Sequence, residues 1–418
     1  MKQYRAFPFL RKIYFVRTAG SEEEIKAANL IKEEIEHLGG EAHLEAFEVD
    51  AANIYEARLI FDDYHEIEAS GSGYSAYTDE EGIEGELFYA SSKEAYELVS
   101  LKDKIIFTPT KRVPTPLYEK AIKDGAKGFI CSTGSVYKSN KDVDLDPYLN
   151  RDVCYNLGHL PIMMVRNRDM ESVLAHGYRK VRLVLRGEDY KRNSHNVIAD
   201  IKGTEHPEDV ICLTAHYDSV SFSKGAYDNG TGVIALLQIY DYFRNRRPDR
   251  TLRFIFCGAE EMGLLGSKAY TKDHEEEVKE HVLFNVNIDM VAATLGRDIA
   301  CVTGEMEIVN YLNVLYKQVG FPLHVYQDVY SSDSTPFADK GVPSISFARL
   351  SHAGGATIHS HDDVIERLSE GNFLRTTIFI SHFVSNIANA VQFPFDKKMP
   401  TNMVEAIDKY YSRTKDKK

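Results

Sequence analysis

Side chains that could bind a metal ion follow several apolar, strand-like segments in the second half of the chain. Ligands in open α/β sheets bind beyond the carboxyl ends of the strands, so we expect these side chains at one edge of a sheet. Imidazole and carboxylate groups together suit zinc and, less selectively, cobalt or manganese. All candidates are of these two types: His216, Asp218, Asp228, Glu260, Glu261, Asp289, and the run His359-Ser360-His361-Asp362-Asp363.

The arrangement of these groups along the chain indicates two metal ions and a base. A carboxylate between two His–carboxylate pairs, as at Asp228, can bridge two metals, which can then share a hydroxide and clamp a tetrahedral intermediate. Adjacent side chains at a strand end point in different directions, so Glu260-Glu261 would give one ligand and one free general base.

Each motif taken alone has a more ordinary interpretation. A lone HxD is more often a surface pair, a Glu-Glu pair a solvated face, and Asp-Asn-Gly a turn. Asp289 carries more weight, because a charge next to the apolar run FNVNI would be costly if it were unpaired. The occurrence of all these motifs in order, each at a strand end, favours a metal site.

The elements that must position these residues alternate between strand and helix from about Asn196. Strands are predicted at NVIADIKG, DVICLTA, TLRFIFCG, VLFNVNIDM, IACVTG and SISFA. Helices are predicted at GTGVIALLQIYDYFRN, LLGSKAYTKDHEEEVKEH, EIVNYLNVLYKQVG and about 371–391. This alternation predicts an α/β fold with a mixed, mostly parallel sheet and helices on both faces. An earlier helix is predicted after Ser21, where Ser21 and Glu24 form a capping box, and the strand EAHLEAFEV follows it.

The segment from about Ala51 to Arg186 has a different pattern. Short β-like runs are separated by Gly, Ser and Pro, with one helix around 116–124, which predicts a small β-rich domain. Residues 132–158 lack periodicity and are expected to form an exposed loop region. We therefore expect residues 51–190 to be an insertion between the two parts of one catalytic domain, 1–50 and 191–418, with most metal ligands in the second part.

Composition limits the partners and the compartment. The 418 residues carry 50 basic and 63 acidic side chains, a net charge of −13, which argues against nucleic acid or an anionic membrane as a partner. No apolar run is long enough to span a bilayer. The five cysteines are widely spaced, without CxxC, and are expected to be mostly buried free thiols. The N-terminus lacks a secretory signal, so a cytoplasmic protein is expected, or a secreted one if the sequence has been trimmed.

These segments resemble the co-catalytic dinuclear zinc aminopeptidases, the peptidase family that also contains glutamate carboxypeptidase and glutaminyl cyclase. The matching segments span about Asn196 to Leu368: NVIADIKGTEHPEDVICLTAHYDSV, GAYDNGTGV, FCGAEEMGLLGS, NIDMV, SSDSTPFADKGVPSISF and IHSHDDVIERL. The central segment is similar to a protease-associated domain through GELFYA, LKDKIIF and KAIKDGAKGFICS, and such a domain would limit access to the cleft.

The resemblance implies a role for each position. Two Zn²⁺ ions per chain would be bound, with Co²⁺ or Mn²⁺ as substitutes, to remove N-terminal residues from peptide substrates. His216 and Asp289 would bind the first zinc, Glu261 and His359 the second, and Asp228 both. Glu260 would be the general base, Asp218 would orient His216, and Asp363 would be the far acid of the H-[ST]-x-x-[DE] pattern. His361 would fall on a variable position, and the Asp228–Asn229 peptide is a candidate for the cis form.

The chain departs from the family pattern in two places. Many relatives have SDH where this chain has Ser332-Asp333-Ser334, and some have an oxyanion-donating Tyr where this chain has Ile358. Oxyanion stabilisation is then expected from zinc or from Tyr330 or Arg349.

Three other functions remain open at this stage. A carboxypeptidase would need arginines for the substrate carboxylates, and only Arg349 and Arg297 are candidates. A glutaminyl cyclase is disfavoured by the insertion. A binding protein with a peptidase-like fold would not be expected to keep a complete ligand set. The sequence does not indicate an oligomeric state.

Overall fold

The structure, a computed structural model, describes residues 6–146, 149 and 156–413 and divides the chain between two units. The chain up to Val49 and from Asn193 onward forms the main unit, and Asp50–Arg192 forms the inserted unit. The boundaries expected from the sequence lie within two residues of these limits. The identity of the inserted unit as a protease-associated domain remains a prediction.

The regular elements are numbered here in chain order. The strands are β1 (His43–Phe61), β2 (Glu66–Glu68), β3 (Ser70–Gly71), β4 (Ile83–Tyr89), β5 (Lys104–Thr108), β6 (Gly128–Thr133), β7 (Ile162–Arg166), β8 (Lys180–Ile201), β9 (His206–His216), β10 (Arg250–Cys257), β11 (Val282–Ile288), β12 (Gly296–Thr303), β13 (His324–Gln327) and β14 (Ser344–Ser351). The helices are α1 (Ala6–Lys12), α2 (Glu22–His37), α3 (Lys93–Glu97), α4 (Thr115–Asp124), α5 (Asn167–His176), α6 (Thr231–Phe243), α7 (Leu265–Asp273), α8 (Glu275–Glu280), α9 (Met306–Val319), α10 (Ser334–Asp339), α11 (Glu370–Ala388) and α12 (Thr401–Tyr410).

The main unit contains a mixed sheet with the strand order β13-β12-β14-β11-β9-β10-β8. The central strands β14, β11, β9 and β10 are parallel to one another, whereas β12 is antiparallel to β14 and β8 to β10. The carboxyl ends of the four parallel strands therefore meet at one edge. This confirms the predicted mixed, mostly parallel sheet.

Side chains along β9 alternate between the two faces of the sheet, and both faces are buried under helices. Ile211, Leu213 and Ala215 join the core cluster that includes α1, α2, α6, α9 and α11. Val210 and Cys212 point to the other face and join the cluster that includes α7, α8 and α10. Apolar residues on both faces require a cover on each, as expected for parallel strands.

The inserted unit is less purely β than the sequence suggested. Strands β4, β5, β6 and β7 are parallel, with β8 and β3 antiparallel at the two edges, and helices cover both faces. Leu117 and Tyr118 of α4 pack on one face, and Met170 and Val173 of α5 on the other. The prediction of a single helix here was wrong: α3 has only five residues, too few for periodicity to reveal it, whereas α5 is as long as α4 and was overlooked.

Other predicted elements differ in their limits. The helix predicted over LLGSKAYTKDHEEEVKEH is two helices, α7 and α8, that meet at His274 with non-helical φ/ψ of −107° and 30°. Helix α1 was not predicted. Strand β1 continues through Ala51 into the inserted unit, and β8 joins two predicted strands into one. Part of the expected loop region 132–158 lies outside the described residues.

Two expectations from composition can be compared with the described residues. Within them, no helix has both the length and the apolar character needed to cross a lipid bilayer. Cys131, Cys212, Cys257 and Cys301 are buried and free, as predicted, whereas Cys154 lies outside the described residues.

Candidate metal centre

The loops after β9 and β10 bring His216 and Glu260 together through Asp218. Asp218 is fully buried, and its carboxylate accepts hydrogen bonds from the main-chain N–H groups of Glu260 (3.0 Å) and Glu261 (3.2 Å). Its Oδ1 also lies 3.4 Å from His216 Nδ1. Asp218 thus lies beside the imidazole and fixes the loop that carries the Glu pair. The sequence had predicted only the first of these contacts.

Gly258 allows this loop to pass close to β8. A Cβ atom at Gly258 would lie 2.5 Å from both the Ser194 hydroxyl and the His195 carbonyl oxygen. Any larger residue would therefore push the loop, and Glu260 with it, out of position. The next residue, Ala259, has a φ of 52°, in the left-handed region.

The first cluster of potential metal ligands consists of His216, Asp228 and Asp289, all of which are buried. His216 Nε2 lies 3.2 Å from Asp228 Oδ1 and 3.7 Å from Asp289 Oδ1. Glu260 Oε2 lies 3.9 Å from the same nitrogen. The strand ends of β9, β10 and β11 therefore direct His216, Glu260 and Asp289 toward one point, and the loop before α6 adds the carboxylate of Asp228.

The second cluster consists of Asp228, Glu261 and His359. His359 Nε2 lies 3.2 Å from Asp228 Oδ2 and 3.0 Å from Glu261 Oε2. Asp228 belongs to both clusters and presents a different oxygen to each imidazole. This is the arrangement expected of a bridging carboxylate.

Asp363 holds the segment that contains Asp228. Its carboxylate accepts hydrogen bonds from the main-chain N–H groups of Tyr227 (2.6 Å) and Asp228 (3.1 Å). The Asp228–Asn229 peptide is cis, as the resemblance suggested. Asp363 therefore positions the shared carboxylate from behind and does not point into either cluster.

The side chains present fit a pair of divalent cations. Asp289 Oδ1 and Glu261 Oε1 are buried and have no hydrogen-bond partner, which is costly for a carboxylate unless a cation satisfies it. Nitrogen and oxygen donors without thiolates suit zinc, cobalt or manganese. The residues therefore provide what two such ions need: several carboxylates, one imidazole for each ion, and the Asp228 carboxylate with one oxygen facing each cluster.

Electrostatics point in the same direction. Hydrogen bonds to Asp228 and Glu261 raise the pKa of His359 to about 10. Burial lowers the pKa of His216, but the carboxylates of Glu260, Asp218 and Asp228 outweigh it, and the pKa lies well above its ordinary value. Burial opposes ionisation of Asp228, yet contacts with the two imidazoles hold its pKa below the ordinary range. The cluster thus attracts positive charge, and a metal ion would displace the imidazole protons.

Of the two histidines in HSHDD, His359 is the one in the cluster. His361 is partly exposed and lies 3.7 Å from Asp362, outside both clusters. We expect His359→Ala to reduce bound zinc from about two ions per chain to about one, because only the second cluster loses its imidazole. His361→Ala is the matched control and should retain both ions. Metal analysis of the two purified variants checks this, and loss of metal in His361→Ala instead would reverse the assignment.

The remaining sequence-predicted residues fall in different places. Burial raises the pKa of Tyr330 above its ordinary range, and the nearby Asp289 carboxylate adds to the rise, so Tyr330 remains a candidate oxyanion donor. Asp333 is buried and accepts a hydrogen bond from the Ser267 hydroxyl at 2.6 Å, and burial raises its pKa to about 7. Arg349 does not fit its expected role, because its guanidinium pairs with Asp298 and donates to the Ala293 carbonyl.

Three residues near the clusters were missed or only partly understood from the sequence. Arg17 is fully buried, and its guanidinium donates to main-chain carbonyls that include those of Tyr217 and Gly225, on either side of the loop before Asp228. Tyr410 of α12 shares a hydrogen bond with Ser331 (2.7 Å). Burial raises the pKa of Tyr410, and the carboxylate of Glu260 adds to the rise. No sequence signal marks a buried arginine or a tyrosine in the last helix.

Glu24 is the third. Its main-chain N–H donates to the Ser21 hydroxyl (3.0 Å), as in a capping box, but its carboxyl group is fully buried and reaches the Gly20 N–H (2.7 Å) and the Ser194 hydroxyl (2.5 Å). Burial raises its pKa to about 8, and the Asp218 charge adds to the rise. Glu24 therefore links the start of α2 to the strand behind the Glu260 loop.

The raised pKa of Glu24 predicts a specific pH dependence of stability. The folded protein keeps a proton on Glu24 between the ordinary carboxyl pKa and about 8, whereas the unfolded chain has lost it, so stability falls as pH rises through this window. Glu24→Gln should remove this contribution, which amounts to at most about 1.4 kcal/mol per pH unit. Urea unfolding of both proteins between pH 5 and 8 tests this. The free energy of unfolding of the variant should rise relative to that of the parent as pH rises. If the two free energies instead changed in parallel with pH, Glu24 would be ionised in the folded protein.

The fold and the two linked clusters define a metallo-exopeptidase. The family model described as peptidase family M28 matches residues 196–384, the segment that contains all five potential metal ligands. The matched segment, just under half of the chain, is similar to this family.

Named relatives agree with this assignment. Aminopeptidase YwaD of Bacillus subtilis is 29% identical over 343 residues, which cover 79% of this chain and 71% of that protein. Leucine aminopeptidase 2 of Arthroderma otae is 25% identical over 262 residues, 56% of this chain, and the match spans about half (53%) of the fungal protein.

Solved structures share the fold over almost the whole chain. The zinc aminopeptidase BSAP from Bacillus subtilis aligns with a TM-score of 0.78 at 23% identity and covers 96% of this chain and 98% of its own. The aminopeptidase from Aneurinibacillus sp. strain AM-1 aligns with a TM-score of 0.73 at 22% identity and covers 94% and 97%. At these identities the likeness establishes the fold.

Proposed function

We propose that this chain is a zinc-dependent aminopeptidase that binds two metal ions and uses Glu260 as its general base. The observation that carries the proposal is the position of Asp228, whose two oxygens each lie 3.2 Å from a different imidazole. The names of the relatives, aminopeptidases from a bacterium and a fungus, support the reaction class. The similar Bacillus subtilis structure is that of a zinc aminopeptidase, which supports the choice of metal.

The residues of the two clusters would bind the metal ions, and Glu260 would transfer the proton. His216, Asp228 and Asp289 would hold one ion, and Asp228, Glu261 and His359 the other. Zinc in such a site supplies Lewis acidity and brings the pKa of bound water toward neutrality. Glu260 would accept the proton of the attacking water and later return it to the leaving amine. In the absence of metal, burial raises the pKa of Glu260 well above its ordinary value. The positive charge of bound ions would lower that pKa again and so favour the carboxylate form that accepts the proton.

The substrate would be a peptide with a free N-terminus. Its free α-amine would lie near a metal ion and the acidic groups of the two clusters, which would favour an exopeptidase. A carboxypeptidase would need a free guanidinium at the site for the substrate carboxylate. Of the two candidates, Arg349 is paired with Asp298, and Arg297 lines a cavity that contains none of the potential metal ligands. The acidic chain also disfavours nucleic acid as a partner.

Metal analysis combined with an activity assay tests the proposal. The purified protein should contain about two zinc ions per chain and should cleave aminoacyl p-nitroanilides. Cleavage should stop after chelation and return when zinc or cobalt is added. Metal without cleavage of any aminoacyl p-nitroanilide would point to blocked, acidic or N-terminal glutamine substrates, and cleavage that survives full removal of the metal would overturn the mechanism.

A further inference from the structure

A large cavity in the main unit lies outside both metal-ligand clusters. Its volume is about 1070 Å³, at the upper end of the range for sites that bind drug-sized molecules. It lies among the C-terminal part of α6, the middle of α11, the first residues of β12 and the turn after α9. None of the proposed metal ligands and none of their hydrogen-bonded carboxylate partners lines it.

One part of the cavity wall is apolar. The rings of Phe321 and Phe379 stack there with their centroids 4.7 Å apart. Beside them, Ile378 is 61% exposed and Val319 is 45% exposed, although both are large apolar side chains. Exposed apolar side chains around an aromatic pair offer a surface for the hydrocarbon part of a ligand.

Another part of the wall carries uncompensated positive charge. Arg246, Arg297 and Arg375 line the cavity, and in the described part of the chain none of them forms an ion pair with a carboxylate. Arg246 lies over the Tyr242 ring, 3.7 Å from its centroid, and Arg375 donates to the Asn372 amide oxygen, so both guanidinium groups have neutral partners only. The cavity's two carboxylates have partners of their own, because Asp241 pairs with Arg244 (2.8 Å) and Asp298 with Arg349. Such a concentration of guanidinium groups is unusual for a chain with a net charge of −13.

From these features we infer that the cavity binds an amphipathic monocarboxylate, a molecule with one carboxylate on an apolar body. The guanidinium groups provide the planar, paired donors that a carboxylate accepts, and the Phe321–Phe379 wall covers the hydrocarbon. Inorganic anions would leave the apolar wall exposed, and an apolar cation would meet three like charges. This binding is separate from peptide hydrolysis and does not need the metal centre.

The test uses decanoate and the intact metal-loaded protein. Calorimetric titration below the micelle concentration should show saturable binding of one decanoate per chain. Acetate, which has the carboxylate without the apolar body, and decyltrimethylammonium, which has the chain with the opposite charge, should bind at least tenfold more weakly.

Two pairs of variants locate the site. Arg375→Glu and Ile378→Asp each place a negative charge in the cavity and should weaken decanoate binding at least tenfold. Arg247→Glu and Val391→Asp are the controls, because Arg247 is exposed next to Arg246 without lining the cavity and Val391 is 95% exposed elsewhere. These controls should bind decanoate as the parent does.

The outcomes separate the alternatives. Acetate that binds as tightly as decanoate would show that the apolar wall does not contribute, and this would overturn the inference. Decanoate binding that disappears on metal removal but is unchanged in Arg375→Glu would place the carboxylate on the metal, and this would also overturn it. Equal binding of the cationic surfactant would show a non-specific apolar surface and would also overturn it. Binding that persists in the chelated protein and is lost in both cavity variants would support the inference whether or not the protein is an aminopeptidase.

Discussion

Replacing Glu260 with glutamine is expected to reduce peptide hydrolysis at least 100-fold while leaving the bound metal unchanged. Proton transfer by a positioned side chain contributes about 10²- to 10⁴-fold to such reactions, and glutamine cannot accept the proton. Asp218 fixes the loop by accepting hydrogen bonds from the main-chain N–H groups of both Glu260 and Glu261. The Glu260 side chain then faces His216, whereas that of Glu261 faces His359. The amide preserves the shape of the side chain, so the fold should be unaffected.

The measurement is kcat/KM on an aminoacyl p-nitroanilide together with zinc content. Glu276→Gln is the matched control, since Glu276 is an exposed residue of α8 outside both clusters, and it should retain full activity. A Glu260→Gln protein that also loses a metal ion would show that Glu260 is a ligand. Near-normal hydrolysis with both ions bound would show that the base is another group.

The candidate residues at strand ends could be found from the sequence because side chains that bind metals occur there directly after apolar, strand-like runs. His216, Glu261 and Asp289 each lie at or just beyond the end of an apolar strand, and the parallel order of β9, β10 and β11 brings the ends together. The sheet itself followed from the alternation of strands with helices. Their roles as ligands, in contrast, remain predictions until metal is measured.

What the sequence did not predict depends on contacts between residues far apart in the chain. Glu24 was recognised as a capping residue, but its contact with Ser194 joins residues 170 positions apart. Arg349 was expected as a possible oxyanion donor, yet its side chain pairs with Asp298 on the neighbouring antiparallel strand. Periodicity gives the face of a strand on which a side chain lies, whereas the partner across the sheet depends on the register.

The cavity was missed for a similar reason. Nothing in the sequence distinguishes Arg246, Arg297 and Arg375 from other arginines, and they lie far apart along the chain. Only the packing of α6, α11 and the start of β12 brings them to one space. A composition argument based on a net charge of −13 does not exclude a local positive site.

The largest effect is expected from a change in the shared carboxylate. Asp228→Asn leaves one oxygen where the parent has two, and an amide is a much poorer ligand for zinc than a carboxylate. Because Asp228 Oδ1 faces His216 and Asp228 Oδ2 faces His359, both clusters lose an anionic ligand at once. We expect zinc to fall below about one ion per chain and hydrolysis to fall roughly a thousandfold or more, since the metal supplies several kcal/mol of transition-state stabilisation.

This prediction distinguishes a linked pair of sites from two independent ones. His359→Ala should remove one ion only, whereas Asp228→Asn should weaken both, and Asp273→Asn, an exposed position at the end of α7, should change neither. Zinc titrations of the three proteins give the two affinities directly. If Asp228→Asn lost one ion and kept the other at parental affinity, Asp228 would serve a single site, and the proposed co-catalytic mechanism would have to be replaced by a mononuclear one in which Glu260 acts beside His216 alone.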